Sequence, residues 1–435
     1  MSSTKTKVII AGAGIAGPIL ATFLKLKGYD PTVYERVDAL TDAGLSLVLQ
    51  PNGLRVLHYS RLHGEAHRTA DPETATRICS SRRDYCTCRC RHIANGRTAG
   101  FPAIGVRRPV FNRTIVEVAE SHGVKIVFGH QLVSLKQEAE SVEVTFANGA
   151  VDSASFVIGC DGLHSDTRIC LFGSESATFT GLTQTGGISP TPEVLKTHSG
   201  IINVYADGAH LVAYPVNDKE TSWAITRREP EAKESWRSID EETRNRFTEG
   251  PWSQWPFGAG ELVTSSHTVI KYGLYDRPAL TSWHSGRVAL LGDAAHPTSP
   301  HLGQGANQAF EDIYHLVRLL TKHNPAAAPP STELLGTIFS EYEQLRIART
   351  SELVQGARRQ GEARVVQGVE ACRVRNAAVK EFWTNEGFLS GRLEFYAHPL
   401  LMLKLYAPYG VARIHRPHFV MCARRETAVL FEDFA

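Results

Sequence analysis

The sequence predicts an α/β protein with a Rossmann-like domain, an antiparallel-sheet subdomain and a helical C-terminal part. Three observations lead to this fold class. Residues 8–35 have the pattern of a strand, a glycine turn, a helix and a second strand. Residues 181–270 alternate between apolar and polar positions, as antiparallel strands do. Residues 331–435 are mostly helical in pattern, and a chain of 435 residues has room for two or three such parts.

The first unit is typical of a dinucleotide site. Val8–Ala11 is a short buried-strand run, and a Gly-x-Gly-x-x-Gly turn opens the helix that follows. Gly12 permits the tight turn, Gly14 lets the backbone approach a pyrophosphate, and Gly17 lets the helix pack closely on the strand. The helix N-terminus offers N–H groups to the phosphates. Glu35 ends the second strand, where an acid can accept hydrogen bonds from a ribose.

A second nucleotide-site signal lies near residue 300. Arg287–Leu291 has the pattern of another buried strand, and Gly292-Asp293-Ala294-Ala295-His296-Pro297 follows it directly. After a short loop, Gly303-Gln304-Gly305 opens a helix whose apolar residues share one face. A third glycine-flanked acid, Asp161, closes the strand predicted over Ser155–Ile158. Asp161 has two open interpretations, a cofactor contact or a helix cap.

Composition and charge exclude several classes of protein. The 47 Lys and Arg residues nearly balance the 45 Asp and Glu residues, so no basic surface for nucleic acid is expected. No run of eighteen apolar residues predicts a membrane span, and the N-terminus is a poor signal peptide, so we expect a cytoplasmic protein without a membrane role. Cys86, Cys88 and Cys90, near Cys79, lack a second ligand pair at zinc-finger distance. We therefore interpret them as reduced thiols and expect no metal site.

Taken together, the motifs resemble those of the single-component flavin monooxygenases of the para-hydroxybenzoate hydroxylase type. The resemblance runs over roughly residues 7 to 365 in three blocks that stand in the family's order. These are the glycine turn with Glu35-Arg36, the stretch Gly159–Ser165, and the stretch from Gly292 through Pro300 to Asn307 and Asp312. The third block is the most specific, and it is similar to the family's flavin-binding motif.

The resemblance implies a non-covalent FAD and assigns its contacts. Asp293 would accept hydrogen bonds from ribityl or ribose hydroxyls, and the turn at Gly303–Asn307 would offer N–H groups to the flavin pyrimidine edge. Pro300 and Gly303 would lie near the reactive face of the ring, although no catalytic residue is identified. The predicted cofactor contacts are Gly12, Gly14, Ile15, Ala16, Gly17, Glu35, Arg36, Gly44, Leu45, Arg108, Val133, Asp161, Asp293, Gly303, Gly305, Ala306 and Asn307.

The implied reaction is the insertion of one oxygen atom from O₂ into an aromatic or polycyclic small molecule. NADPH or NADH, as co-substrate, would reduce the FAD, and O₂ would then form a flavin hydroperoxide that transfers oxygen. In this family the substrate lies against the antiparallel subdomain, so Tyr205, Tyr214 and Trp223 are the pocket candidates, with sheet packing as the alternative. Hydroxylation, epoxidation and Baeyer–Villiger oxidation all remain open, because no catalytic base is evident.

The family resemblance also suggests how the chain is divided. We predict a discontinuous FAD-binding domain over residues 1–75, 100–180 and 271–330. The substrate subdomain would comprise 76–99 and 181–270, and the C-terminal helical region 331–435. The protein would be a monomer or a homodimer.

Other functions are possible on the same fold. A flavin oxidase, a halogenase or a reductase would share its motifs. A non-enzymatic escort protein is disfavoured, because it needs neither Asp293 nor Pro300 nor the Gly303–Asn307 turn. His296 and His301 are candidate bases, with a role in shaping the turn as the favoured interpretation.

Overall fold

The computed structural model describes residues 5–62, 103–196, 201–231, 239–384 and 428–430. The strands are β1 Lys7–Ala11, β2 Asp30–Tyr34, β3 Ser46–Leu49, β4 Ile104–Arg107, β5 Lys125–Val127, β6 Leu132–Gln137, β7 Val142–Phe146, β8 Val151–Ala154, β9 Phe156–Gly159, β10 Thr178–Pro190, β11 Ile202–Ala206, β12 Ala209–Pro215, β13 Glu220–Arg228, β14 Val269–Asp276, β15 His284–Ser285, β16 Val288–Leu290 and β17 Ala428–Leu430. The α-helices are α1 Ala16–Leu26, α2 Pro51–Leu62, α3 Arg108–Ser121, α4 Asp166–Phe172, α5 Glu241–Thr248, α6 Ala259–Thr264, α7 Gly305–His323, α8 Thr332–Arg364 and α9 Val369–Thr384.

The nucleotide-binding half is built on a sheet with the strand order β15-β16-β9-β1-β2-β5. Strand β1 pairs in parallel with β2 on one side and with β9 on the other. Its residues Val8, Ile9 and Ile10 are completely buried, which is typical of a parallel sheet covered on both faces. Helix α1 begins directly after the glycine turn, so the predicted strand–turn–helix–strand unit is present.

A second sheet, with the order β14-β10-β13-β12-β11-β17, forms the other half. Its pairs are antiparallel except for β11 and β17, which run parallel. Strands β11, β12 and β13 lie within residues 181–270, where the alternation predicts antiparallel strands. This agreement and the parallel sheet confirm the predicted fold class. The predicted domain boundaries stay a prediction.

The helical part connects the two halves. Helix α7 buries Phe310, Ile313 and Leu316 against the parallel sheet and against Ile338 and Phe339 of α8, in the main core. Helix α8 is 33 residues long and is followed by α9. Two smaller sheets complete the described chain: the antiparallel pair β3–β4, and the meander β6–β7–β8, whose second hairpin turns at Asn148-Gly149.

A buried ion cluster fixes α7 and α8 relative to each other. The Arg346 guanidinium of α8 is 0% exposed and donates to Glu311 Oε2 at 2.6 Å and to Asp312 Oδ1 at 2.7 Å. The other Asp312 oxygen lies 2.6 Å from His296 Nε2 and accepts a hydrogen bond from the Gly292 backbone N–H at 3.0 Å. Burial opposes ionisation of Asp312, but His296 and Arg346 hold the pKa of its carboxyl well below the usual range. The cluster therefore ties α8 to α7 and to the stretch Gly292–His296.

Removing Arg346 tests this cluster. We expect Arg346→Ala to lower the free energy of unfolding by about 3–5 kcal/mol, because Glu311 and Asp312 stay buried without their main counter-charge. The measurement is urea unfolding followed by circular dichroism. Lys322→Ala is the control, because the Lys322–Glu341 pair is on the surface and its loss should cost about 0–1 kcal/mol. An equal decrease in the free energy of unfolding in the two variants would contradict the stabilising role of the ion cluster.

Candidate active site

One cavity of about 1470 Å³ joins the two halves of the molecule. Its walls come from the β1–α1 turn, from β3, from the stretch between β16 and α7, from the antiparallel sheet, and from α8 and α9. Among the predicted cofactor contacts, those that line it are Gly14, Ile15, Ala16, Leu45, Arg108, Asp293, Gly303, Gly305, Ala306 and Asn307. Pro300 and the three substrate-pocket candidates Tyr205, Tyr214 and Trp223 line it as well.

The β1–α1 turn has the backbone geometry that a phosphate cradle needs. Gly12 has a φ of +100°, and a Cβ there would lie 2.6 Å from the Cys160 carbonyl oxygen. A Cβ on Gly17 would lie 1.9 Å from the Gly12 carbonyl oxygen, so the first turn of α1 rests directly on the loop. Gly14, in contrast, has no atom within 4 Å of a Cβ position and lines the cavity. Gly12 and Gly17 thus shape the turn, and Gly14 leaves open space beside its backbone.

Seven of the predicted cofactor contacts do not line this cavity: Gly12, Gly17, Glu35, Arg36, Gly44, Val133 and Asp161. The Glu35 carboxylate accepts hydrogen bonds from the backbone N–H groups of Ala13 at 2.7 Å and Val37 at 3.1 Å. Asp161 accepts from the Ser165 hydroxyl at 2.5 Å and from the Thr167 backbone N–H at 2.9 Å, at the start of α4. This geometry matches the helix-cap alternative for Asp161.

Asp293 lies in a one-turn 3₁₀ helix, Gly292–Ala294, and faces the cavity. Its surroundings raise the pKa of the carboxyl by burial, and the positive charges of His296 and Arg108 oppose that increase. The Asp293 side chain is accessible from the cavity, and a carboxylate in this position favours ligand groups that donate hydrogen bonds to it. Ribityl or ribose hydroxyls are donors of this kind.

The N-terminus of α7 is the other polar feature in this half of the cavity. The backbone N–H groups of Gly305, Ala306 and Asn307 belong to the first helical turn, which has no intrahelical acceptors for them. The Asn307 side chain is engaged elsewhere: it accepts a hydrogen bond from the Gln50 backbone N–H at 2.8 Å and donates to the Val48 carbonyl at 2.9 Å. Asn307 can therefore offer only its backbone N–H, in the positive field of the helix terminus.

At the opposite side of the cavity, Tyr214 belongs to a chain of hydroxyl groups. Its hydroxyl lies 2.8 Å from Ser46 Oγ, and Ser46 donates to Ser222 Oγ at 2.6 Å. Burial raises the pKa of Tyr214. Trp223 donates its indole N–H to Ser189 Oγ at 2.9 Å and stacks its ring on Phe247 at a centroid distance of 6.3 Å, which fits the alternative of sheet packing.

The structure also brings residues to this cavity that sequence reasoning missed. These wall residues are Ser46, Gln50, Gln184, Asn203, Tyr272, Arg359, Arg364 and Arg375. The alternation of β10 and β14 could have indicated Gln184 and Tyr272, whose side chains share a hydrogen bond of 2.7 Å. The arginines of α8 and α9 stand in no motif, and only the tertiary fold places them here.

The two candidate histidines have different surroundings. His296 lies 2.6 Å from Asp312 in the buried ion cluster, so its ring is part of the turn structure. His301 lines the cavity and is buried, and within the described chain neither of its ring nitrogens has a hydrogen-bond partner. Burial and the nearby Arg364 lower the pKa of His301 to about 3. His301 is therefore neutral near pH 7.

Two of the predictions from the sequence are that the protein has no metal site and no membrane role. Cys79, Cys86, Cys88 and Cys90 lie outside the described residues. Among the residues that are described, no group of three acidic, histidine or cysteine side chains is arranged to hold a metal ion. Of the helices in the described ranges, none is long and apolar enough to cross a bilayer.

The Rossmann-like turn, Asp293 and the α7 N-terminus around one cavity define an FAD-dependent oxidoreductase, and comparisons with known proteins agree. The family model described as "FAD binding domain" matches residues 5–357. A 3-amino-4-hydroxybenzoate 2-monooxygenase from Streptomyces cremeus is 30% identical over 365 residues, which cover 82% of this chain and 87% of that protein. A 6-hydroxynicotinate 3-monooxygenase from Pseudomonas fluorescens is 28% identical over 375 residues, covering 81% and 90%.

A solved structure shares the fold. The crystal structure of Klebsiella pneumoniae HpxO, complexed with FAD and uric acid, matches with a TM-score of 0.71 at 22% identity and covers 90% of this chain and 96% of that one. The chain belongs to the FAD binding domain family. This membership confirms the predicted class: the protein is an FAD-dependent monooxygenase.

A pair of glycine substitutions tests the cradle. We expect Gly14→Val to reduce the FAD content of the purified protein to less than about a tenth, because the new side chain fills the space where the pyrophosphate must approach. The fold should persist, since no protein atom lies within 4 Å of the Cβ position. The measurements are the flavin-to-protein absorbance ratio and circular dichroism. Gly17→Val is the contrast, because its Cβ collides with the Gly12 backbone and should prevent folding. Normal flavin content in Gly14→Val would contradict this interpretation.

Proposed function

We propose that the protein hydroxylates an electron-rich aromatic or polycyclic small molecule that carries a ring hydroxyl or amino group. FAD would be the bound cofactor, NADPH or NADH the reductant and O₂ the oxygen source. The observation that carries the proposal is the single cavity that connects Gly14 and Asp293 with Tyr214. We further propose a monomer or homodimer in the cytoplasm, where reduced nicotinamides are available.

The residues of the nucleotide half would each hold a different part of FAD. Gly14 and the N-terminal turn of α1, where Ile15 and Ala16 line the cavity, would receive the pyrophosphate. Asp293 would accept hydrogen bonds from ribityl hydroxyls. The N–H groups at the start of α7 would bind the pyrimidine edge and stabilise negative charge there. When bound, FAD supplies the redox chemistry and the activation of O₂.

In the chain of hydroxyl groups at Tyr214, the direction in which each hydroxyl donates its hydrogen bond is defined. Ser222 Oγ donates to the Gly187 carbonyl at 3.4 Å, and a carbonyl can only accept. Ser46 therefore uses its single proton on Ser222, and Tyr214 uses its proton on Ser46. The remaining lone pairs of the Tyr214 oxygen can accept a hydrogen bond from a ligand. A phenolic O–H or an aromatic amine is the matching donor.

Because the Tyr214 oxygen accepts a hydrogen bond from the ligand, it can influence the reactivity of the substrate ring. A ring hydroxyl that donates to Tyr214 has its oxygen made more electron-rich, and the ring carbons beside it become better nucleophiles. The backbone at Gly105 packs closely on the Tyr214 ring and limits the access of water. The names of the relatives support a substrate of this kind, since 3-amino-4-hydroxybenzoate and 6-hydroxynicotinate both carry a ring hydroxyl.

A substrate panel tests the proposed function. The FAD-loaded protein is mixed with NADPH or NADH and with phenols, aminophenols, indoles and polycyclic phenols in turn. We expect at least one hydroxylated aromatic compound to accelerate reduced-nicotinamide oxidation well above the rate without substrate. Its O-methyl ether should not, because it has no proton to donate to Tyr214. Equal stimulation by the phenol and its ether would contradict the role of Tyr214.

Two variants separate the cofactor half of the cavity from the substrate half. Asp293→Ala should weaken FAD binding by about 1.5–3 kcal/mol, because the ribityl hydroxyls lose a charge-assisted hydrogen bond. Tyr214→Phe should retain its FAD but divert part of the O₂ consumed into hydrogen peroxide, because the substrate is held less precisely. The measurements are flavin dissociation constants and peroxide yield per nicotinamide oxidised.

The control for Tyr214→Phe is Tyr34→Phe. It also removes a tyrosine hydroxyl, but at a distance from the cavity, where that hydroxyl donates to Asp152 at 2.6 Å. Tyr34→Phe should keep both flavin affinity and coupling. Loss of flavin from Tyr214→Phe comparable to that from Asp293→Ala would contradict the division of roles.

A further inference from the structure

The cavity extends past Tyr214 and Trp223 to a wall that α8 and α9 build. Four basic side chains cluster there, and we call them the basic end: His210, His301, Arg364 and Arg375. His301, Arg364 and Arg375 line the cavity, and the ring centroid of His210 lies 4.7 Å from that of the cavity residue Tyr205. The family model ends at residue 357, so both arginines lie beyond the part of the chain that it matches.

Arg375 is the central observation. Only 8% of the residue is exposed, and its guanidinium carbon lies 5.4 Å above the Tyr205 ring centroid. Its NH1 group donates to the carbonyls of Ala206 at 2.8 Å and Arg364 at 3.4 Å, and its Nε donates to Asn376 Oδ1 at 3.0 Å. All of these acceptors are neutral. Within the described ranges, no carboxylate lies within 4.0 Å of this guanidinium.

The neighbouring groups do not neutralise this charge. Burial and the charge of Arg364 lower the pKa values of His210 and His301, so both rings are neutral near pH 7. The Nε2–H of His210 donates to Asn203 Oδ1 at 3.1 Å, so its Nδ1 can only accept a hydrogen bond. In the described chain, His210 Nδ1 and both nitrogens of His301 lack a hydrogen-bond partner.

The acids nearest along the chain are engaged elsewhere. Asp207 is exposed and accepts from the Gly368 backbone N–H at 2.9 Å. Glu370 also lines the cavity, but it is 78% exposed and pairs with Arg373 at 3.1 Å. The basic end therefore combines an enclosed positive charge with N–H donors from its arginines and from His301.

An enclosed guanidinium without a counter-charge is costly, because desolvation is not repaid by attraction to an anion. A ligand carboxylate would provide that attraction, and it could accept hydrogen bonds from the guanidinium N–H groups that these neutral acceptors do not use. We propose that the basic end is a subsite for a carboxylate at the end of the aromatic substrate farthest from the flavin, with Arg375 as the specificity-determining residue. This proposal rests on the proposed function, since it assumes that the substrate lies in this cavity.

The position of the subsite also constrains the size of the substrate. Tyr214 and Arg375 lie on different walls, β12 and α9, of one continuous cavity. A molecule that donates a hydrogen bond to Tyr214 and places a carboxylate at Arg375 must extend across the space between them. We therefore infer an extended aromatic hydroxy acid with its two polar groups at opposite ends.

A matched acid and amide test the subsite by binding, without reliance on turnover. The probes are 6-hydroxy-2-naphthoate and its primary amide, titrated into the FAD-loaded full chain by isothermal calorimetry. We expect the wild-type protein to bind the acid at least about tenfold more tightly than the amide. In Arg375→Gln this ratio should fall to about one, while flavin content and melting temperature stay close to wild type. Equal wild-type affinities for acid and amide, or no measurable binding of the acid, would overturn the proposal.

Two further variants test whether the preference for the acid depends specifically on Arg375. Arg373→Gln is the matched control, because Arg373 is on the same helix, is 74% exposed and should not affect the ratio. Arg375→Lys keeps the charge without the planar fork and should retain part of the preference for the acid. An unchanged ratio in a folded Arg375→Gln would also overturn the proposal. Failure of the proposed function would give a different result. The purified protein would lack flavin, or no substrate would stimulate nicotinamide oxidation although the wild-type protein still bound the acid more tightly than the amide.

Discussion

The buried contact of Arg346 with Glu311 and Asp312 is the constraint on which the site depends. Helix α7 supplies both carboxylates, and its N-terminus is one wall of the cofactor half of the cavity. Asp312 also holds the Gly292 backbone and the His296 ring, so the Asp293 turn is positioned by the same group. A single guanidinium on α8 thus fixes the distance between the Asp293 carboxylate and the helix terminus at Gly305. An ion pair in this environment tolerates little displacement, because separating buried charges is costly.

As a result, the two halves of the cavity favour ligand groups of different electrostatic character. The cofactor half has open backbone at Gly14, the positive end of α7 and one acceptor, Asp293. Its polar groups suit a molecule with phosphates, hydroxyls and an edge that becomes anionic. The substrate half begins at Tyr214, whose proton is committed to Ser46, so this wall accepts a hydrogen bond. Two ligands of different chemistry can therefore lie in adjoining parts of one enclosed space, as the transfer of an oxygen atom between them requires.

The parts of this account that could be predicted from the sequence are those with a local cause. The Gly-x-Gly-x-x-Gly turn needs its glycines within six residues of each other, and the strand alternation over 201–226 reflects the faces of one sheet. The contacts that could not be predicted join distant positions. Ser46 and Tyr214 are 168 residues apart, and Asn307 binds Gln50 across 257 residues. The sequence also gave no indication that Asn307 uses its side chain as a brace, or that Arg375 would reach the cavity from beyond the family motifs.

The central claim is that this chain transfers one oxygen atom from O₂ to an aromatic substrate. The most direct test is turnover of an active substrate under ¹⁸O₂ in unlabelled water, with mass spectrometry of the product. We expect a product heavier than its substrate by one ¹⁸O atom, with one reduced nicotinamide consumed for each product formed. A product that has lost hydrogen without gaining oxygen, or that carries oxygen from water, would contradict it.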